Sequence, residues 1–272
     1  MHHPDVRWLS VLLGIAFCLT ASAASQKPPS PRHAECFVFG RAGDAPYVSD
    51  PEECGRATAP ASTFKIPHAL IALEAGVITP DTIFKWDGTP RTNASWQRDH
   101  VLASAIKWSV LPYFQNTARQ LGRERMQRGL ETLRYSADTF ERDVDTFWLN
   151  GDLVVTPIEQ FAFVELLVLG TLPISRAHMT TVMDAMRMPA GQVLMAAGPH
   201  PFALAWPPQT IVRTKTGNTT VGGERVSWLI GAVELRNTHY VFAARVRSAG
   251  TLPGSAGADL ALRALNSRIP RR

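Results

Sequence analysis

The chain has 272 residues, 45% hydrophobic and 19% charged, which excludes a disordered protein and suits one large domain or two intimate subdomains. Its net charge of +5 rests on arginine, with lysine only at Lys27, Lys65, Lys85, Lys107 and Lys215. No basic run with interleaved aromatics occurs, so no nucleic-acid partner is expected, and Arg268-Ile269-Pro270-Arg271-Arg272 reads as a solvated tail.

The N-terminus reads as an export signal. Arg7 and the histidines make a polar start, Trp8 to Leu19 form an apolar run of 12 residues, and Ala21-Ser22-Ala23 is a small-x-small cleavage pattern. Twelve residues are too few to cross a bilayer, so no stable membrane anchor is expected. Ala16-Phe17 before Cys18 is not a lipidation pattern. This predicts a signal peptide over 1–23, delivery to the periplasm and a mature chain of 24–272. Cys36 and Cys54 then remain, and in an oxidising compartment they read as a disulfide tying the first strands; two buried free thiols are the alternative.

Glu35-Cys36-Phe37-Val38-Phe39-Gly40 reads as a strand, followed by a Gly-Asp turn and a short strand at Tyr47-Val48. Ser62 and Lys65 stand three apart at the opening of a helix, where residues i and i+3 share a face. A serine hydroxyl needs a neighbouring base to become a nucleophile, and a helix N-terminus adds unpaired N–H groups that favour negative charge. Ser-x-x-Lys alone arises by chance about once in a chain of this size, and a capping serine beside a solvated lysine is the plain alternative. Phe64, Ile66, Ala69, Leu70 and Leu73 continue with helical spacing up to Gly76, so this helix is apolar and central. A lysine on a buried helix needs a reason.

From about Trp86 to Met188 the chain is mainly helical, with segments near His100–Trp108, Phe114–Leu121, Arg123–Leu133, Pro157–Leu169 and Ser175–Arg187. After Gly191 the texture changes: Ile211–Lys215, Ser227–Glu234 and Tyr240–Arg247 read as strands, Gly217–Gly223 as a turn-rich connection and Ala256–Asn266 as a closing helix. The order predicts an α+β protein, with one antiparallel sheet assembled from both ends of the chain and a helical block inserted beside it.

Three further features bear on chemistry. Lys215-Thr216-Gly217 ends an apparent strand; its lysine and threonine can bind a carboxylate, and its glycine lets a substrate approach the strand edge. Lys107-Trp108-Ser109-Val110-Leu111-Pro112 places a hydroxyl between helical segments, able to pass a proton to a leaving nitrogen, although a cap is the commoner role. Asp145-Thr146-Phe147-Trp148-Leu149-Asn150-Gly151 carries a tryptophan with one N–H donor, which by itself reads as core.

In this order the set resembles the active-site-serine penicillin-recognising enzymes, and most closely the class D (oxacillinase-type) β-lactamases. Ser-x-x-Lys and Lys-Thr-Gly are motifs of that superfamily. Leu111 stands where other classes carry the asparagine of Ser-Asp-Asn, and class D has Ser-x-Val. The likeness extends over Pro60–Lys65, Trp86-Asp87-Gly88, Trp96 with Arg98-Asp99-His100, Phe147–Gly151 and Leu262-Arg263. It covers essentially the whole mature chain. Two positions depart from the family pattern: Tyr135-Ser136-Ala137 in place of Tyr-Gly-Asn, and Leu111 in place of a valine beside the catalytic lysine.

The resemblance implies a β-lactamase/transpeptidase-like fold over 24–272, a single catalytic domain with a mixed α/β part at about 24–61 and 191–272 and a helical part at about 62–190. It implies that Ser62 is acylated by a β-lactam and that Lys65 carries a carbamate formed from carbon dioxide and acts as general base. Trp148 would hold the carbamate, Ser109 would relay a proton, and the N–H groups of Ser62 and Asn218 would bind the oxyanion. Lys215, Thr216 and Arg263 would bind the drug's carboxylate beside Gly217, with Leu111 walling the lysine pocket. No other cofactor and no metal are implied, the histidines at 33, 68, 100, 178, 200 and 239 lacking a ligand spacing. Monomer and homodimer are both compatible. Substrate range would follow from loops near Phe114, Pro199–Pro208 and Asn218–Glu224. The competing reading is a β-lactam-sensing or penicillin-binding domain that is acylated but turns over poorly.

Overall fold

Alternating apolar residues in the C-terminal strands bury both faces of the central sheet. The computed structural model describes residues 33–136, 140–141 and 143–268, so the expected signal peptide, Cys18, Ala137 and the last four residues lie outside it. In chain order the elements are β1 (Ala34–Arg41), β2 (Tyr47–Val48), α1 (Pro51–Cys54), α2 (Lys65–Glu74), α3 (Leu102–Lys107), α4 (Leu111–Leu133), α5 (Phe147–Asn150), α6 (Pro157–Leu169) and α7 (Arg176–Ala185). Then follow β3 (Gln192–Met195), β4 (Gly198–Pro201), β5 (Ile211–Val221), β6 (Glu224–Leu235), β7 (Thr238–Ser248) and α8 (Ala256–Asn266), with 3-10 turns at Ala61–Phe64 and Ala94–Trp96.

The sheet is antiparallel in the order β2-β1-β7-β6-β5, so β1 from one end of the chain pairs with β7 from the other. Phe37, Leu229, Phe242 and Ala244 point to one face and pack with Ala258, Ala261 and Leu265 of α8. Cys36, Val38, Trp228, Ile230 and Ala243 point to the other and join the core of α2, α4 and α6. The period of two decides which residue meets which layer.

Several boundaries differ from the sequence reading. β5 does not stop at Lys215: Thr-Gly-Asn-Thr-Thr-Val continues the ladder, with Val221 opposite Glu224. The turn is confined to Gly222 and Gly223, both at positive φ, the two-residue hairpin that matches strand twist. The Leu111–Leu133 span starts earlier than expected, at Leu111-Pro112, and its two helical segments meet at a kink where the break was expected, Gly122 taking φ 73°. Pro112 suits a first helical turn and only glycine takes that kink freely. The β3–β4 hairpin was not expected, its short strands being rich in Gly and Pro. α8 packs on one face of the sheet and α6 covers the other, with the short N-terminal α1 against β1.

Candidate active site

The nucleophile segment begins with a backbone constraint. Ala61 has φ 51° and opens a 3-10 turn that delivers Ser62 at the base of α2. Behind it, Thr63 Oγ1 donates to the Pro60 carbonyl (2.6 Å) and accepts from Gln160 Nε2 (2.7 Å), whose Oε1 accepts from Tyr135 (3.3 Å). Trp228 Nε1 also holds the Ala59 carbonyl at 3.0 Å. These buried bonds fix the turn from three sides, a role that gave no motif in the sequence.

Lys65 Nζ donates to Ser62 Oγ at 2.9 Å. The lysine is wholly buried, and burial alone pulls its pKa from 10.5 to about 7. Its Nζ lies 5.3 Å from the centre of the Phe114 ring. A desolvated ammonium without a counter-ion loses its proton readily. Lys65 is therefore a candidate base.

Ser109 links the helical block to the sheet. Held at φ 55° between α3 and α4, it accepts from Lys215 Nζ at 2.9 Å. Lys215 also bonds the Thr216 carbonyl at 2.9 Å. Burial first, then the charge of Lys65, push the Lys215 pKa well down. A non-glycine residue at positive φ stores strain, and such strain collects at functional sites.

A cleft of about 290 Å³ opens over these groups, lined by Ser62, Trp96, Ser109, Leu111, Leu149, Ala196, Thr216, Gly217, Asn218 and Thr219. Gly217 makes the approach possible: a Cβ there would stand 2.9 Å from the Pro60 carbonyl oxygen. The serine, the second hydroxyl, the Lys-Thr-Gly triplet and Leu111 are thus brought together as the sequence order implied. Leu111 walls the cleft itself. Leu149 and Thr219 lie within segments the sequence had singled out, whereas Ala196 carried no sequence signal, being small and apolar. Ala196 sits on the β3–β4 hairpin and accepts from Ser95 Oγ at 2.9 Å, joining the Trp96 segment to that hairpin.

Trp148 is fully buried and stacks on Phe64 with centroids 5.4 Å apart. Its Nε1 has no hydrogen-bond partner among the described residues. A buried unpaired donor is costly and calls for an acceptor. With Phe64, Val110 and Phe114 buried in the same core, this donor set fits an anionic acceptor built on Lys65.

Two expectations are corrected. Arg263 does not line the cleft. It is 61% exposed on α8 and bonds Glu35 of β1 at 3.1 Å, three strands from β5 in the sheet order. At strand spacing that is roughly 14 Å, too far to share a ligand with Lys215. Phe114 is no spectrum-setting loop residue: it is buried within α4 against Lys65. Cys36 and Cys54 are disulfide-bonded, with Cα atoms 5.2 Å apart, so the free-thiol alternative falls.

Sheet, inserted helices and the Ser62–Lys65–Ser109–Lys215 cluster define an active-site-serine domain of the penicillin-recognising kind. The family model for the penicillin-binding protein transpeptidase domain matches residues 47–266. β-Lactamase OXA-48 of Klebsiella pneumoniae is 36% identical over 198 residues, 72% of this chain and 69% of that protein. The solved class D β-lactamase BAT-2 delta mutant superposes with a TM-score of 0.74 at 28% identity, covering 86% of this chain and 91% of that one. The C-terminal domain of the Bacillus licheniformis BlaR penicillin receptor gives 0.75 at 26%, covering 87% and 90%. The chain belongs to the class D serine β-lactamases. It spans about two thirds of the length of the curated relatives it matches.

Proposed function

We propose that the protein hydrolyses β-lactam antibiotics through an acyl-enzyme on Ser62, with Lys65 as general base in a form carboxylated by carbon dioxide. The observation that carries this reading is the 2.9 Å contact between Ser62 Oγ and a wholly buried Lys65 with a pKa near 7. At neutral pH such an amine is unprotonated in about half of the molecules, against one in a few thousand for an ordinary lysine. Only the unprotonated amine can accept the Ser62 proton or add to carbon dioxide. The carboxylated lysine supplies a basic oxygen beside Ser62, and the unpaired Trp148 Nε1 would hold it.

The remaining roles follow from position. Ser62 attacks the lactam carbonyl. The N–H groups of Ser62, in the first turn of its helix, and of Asn218 receive the developing oxyanion. Ser109, held by Lys215, hands a proton to the leaving nitrogen. Lys215 and Thr216 take the substrate carboxylate. Arg263 has no part in this.

Export to the periplasm, with residues 1–23 removed, and a single catalytic domain over 24–272 belong to the same proposal. Expression of the full chain in a Gram-negative host, followed by fractionation and N-terminal sequencing, checks the first. The mature protein is expected to hydrolyse a chromogenic cephalosporin, and faster with added bicarbonate. A single burst of acylation without turnover would favour the sensor reading instead. Failure of labelled penicillin to attach to Ser62 would sink both.

A further inference from the structure

His68 lies on α2 three residues after Lys65, on the same helical face, and is wholly buried. Neither ring nitrogen has a hydrogen-bond partner among the described residues. Its ring is enclosed by Phe64, Phe114 and Trp148, with centroids 5.7, 5.2 and 5.6 Å away. Burial first, then the charge of Lys65, hold its pKa at about 3, so the ring is neutral and offers one donor and one acceptor. A histidine retained for packing alone bonds its surroundings, as buried His100 does with Ser104 Oγ and the Ser95 carbonyl, both at 3.0 Å. His68 does not. It shares its chamber with Trp148, whose donor is equally unpaired.

We propose that His68 is a positioning residue for the carboxylated form of Lys65, its ring N–H joining Trp148 Nε1 in holding the added carboxylate. The proposal rests on the reading of Lys65 given above. In the addition, the amine lone pair forms the N–C bond, one C–O π pair becomes an oxygen lone pair, and one N–H proton leaves to solvent. The product is an anion in an apolar chamber and needs donors. Neutral donors suit it better than a cationic imidazolium, because an acid in contact with it would return the proton and reverse the addition.

The test is carbon-13 NMR of the purified protein titrated with labelled bicarbonate, with Lys65→Ala identifying the lysine-borne signal. Wild type is expected to show that signal. His68→Leu should require about tenfold more bicarbonate or beyond for half occupancy, the loss of one hydrogen bond to an anion. His68→Asn, which keeps a donor, should stay near wild type. Turnover of His68→Leu should fall mainly in kcat and recover at high bicarbonate. Unchanged half occupancy in His68→Leu overturns the role of His68 and leaves Lys65 standing; no signal in wild type overturns both. Should His68→Leu not fold by circular dichroism, nitrogen-15 histidine spectra of wild type decide. A His68 ring resonance that moves with bicarbonate, at the same midpoint as the carbon signal, supports the proposal, and one that does not move overturns it.

Discussion

Lys65 and His68 are ionisable groups in a space that hydrates neither, so each carries a pH signature. His68 has a folded pKa of about 3 against 6.5 for a free histidine. Between those values the unfolded chain binds a proton that the native chain refuses, so stability falls as pH drops below 6.5 and levels off near 3. Urea unfolding at pH 7 and pH 4 should show wild type losing on the order of a few kcal/mol more than His68→Asn. Equal losses would mean that the native ring takes up the proton. For Lys65, lowered from 10.5 to about 7, the same sign makes the carbon dioxide-free protein gain stability as pH rises from 7 towards 10.5.

Trp148 and Arg263 test how far residue identity predicts role. Trp148→Phe keeps the stack on Phe64 and removes only the N–H, and should cut steady-state turnover roughly 10- to 100-fold, the worth of one hydrogen bond to a charged group. Arg263→Ala should leave KM within about twofold of wild type, its partner being Glu35. The serine and lysine pairs were legible because a three-residue spacing on a helix and a motif triplet on a strand are local facts. Arg263 was misread because a charge on a helix does not say which strand lies beneath it.

At the scale of elements, the loop before Ser62 is anchored where sequence reasoning looked only for a cystine. Arg245 and Arg247 of β7 both bond the carboxylate of Glu53 on α1, next to Cys54. Burial presses the Glu53 pKa upward, but the two guanidinium groups prevail and hold it below the usual carboxylate range. Arg245 is wholly buried, and burial draws its pKa to about 10 against that charge. Glu53→Gln leaves it without an ion partner and should cost about 3–5 kcal/mol. In a domain of this size that lowers Tm by roughly 2–4 °C per kcal/mol, read by calorimetry. Reduction of Cys36–Cys54, which closes a separation of 18 residues, should cost about 3 kcal/mol by chain entropy. Gly217→Ala should separate β5 from the Ser62 turn and lower acylation far more than stability, because the clash is with the Pro60 carbonyl.

For the whole molecule, the Ser62–Lys65–Ser109–Lys215 cluster exists because two halves of the fold meet. Ser62, Lys65 and Ser109 come from the helical block and its entry, whereas Lys215 to Asn218 come from β5. The 2.9 Å bond from Lys215 to Ser109 spans 106 residues of chain. Urea unfolding followed by tryptophan fluorescence and by hydrolysis should therefore show activity disappearing at or before the structural transition, and never after it.

The sequence by itself determined the helices at 157–169 and 256–266, the pairing logic of the sheet and the shared face of Ser62 and Lys65, because periodicity and short motifs are written within a turn or a strand. It also placed Cys36 and Cys54 as a reading that the fold then made definite. Tertiary structure alone decided the extent of β5, the fate of Arg263, the unpaired Trp148 and His68, and the depth at which Lys65 is buried. Each of these depends on what packs against a residue from elsewhere in the chain. Removal of water by those distant neighbours lowers the pKa of Lys65 from 10.5 to about 7.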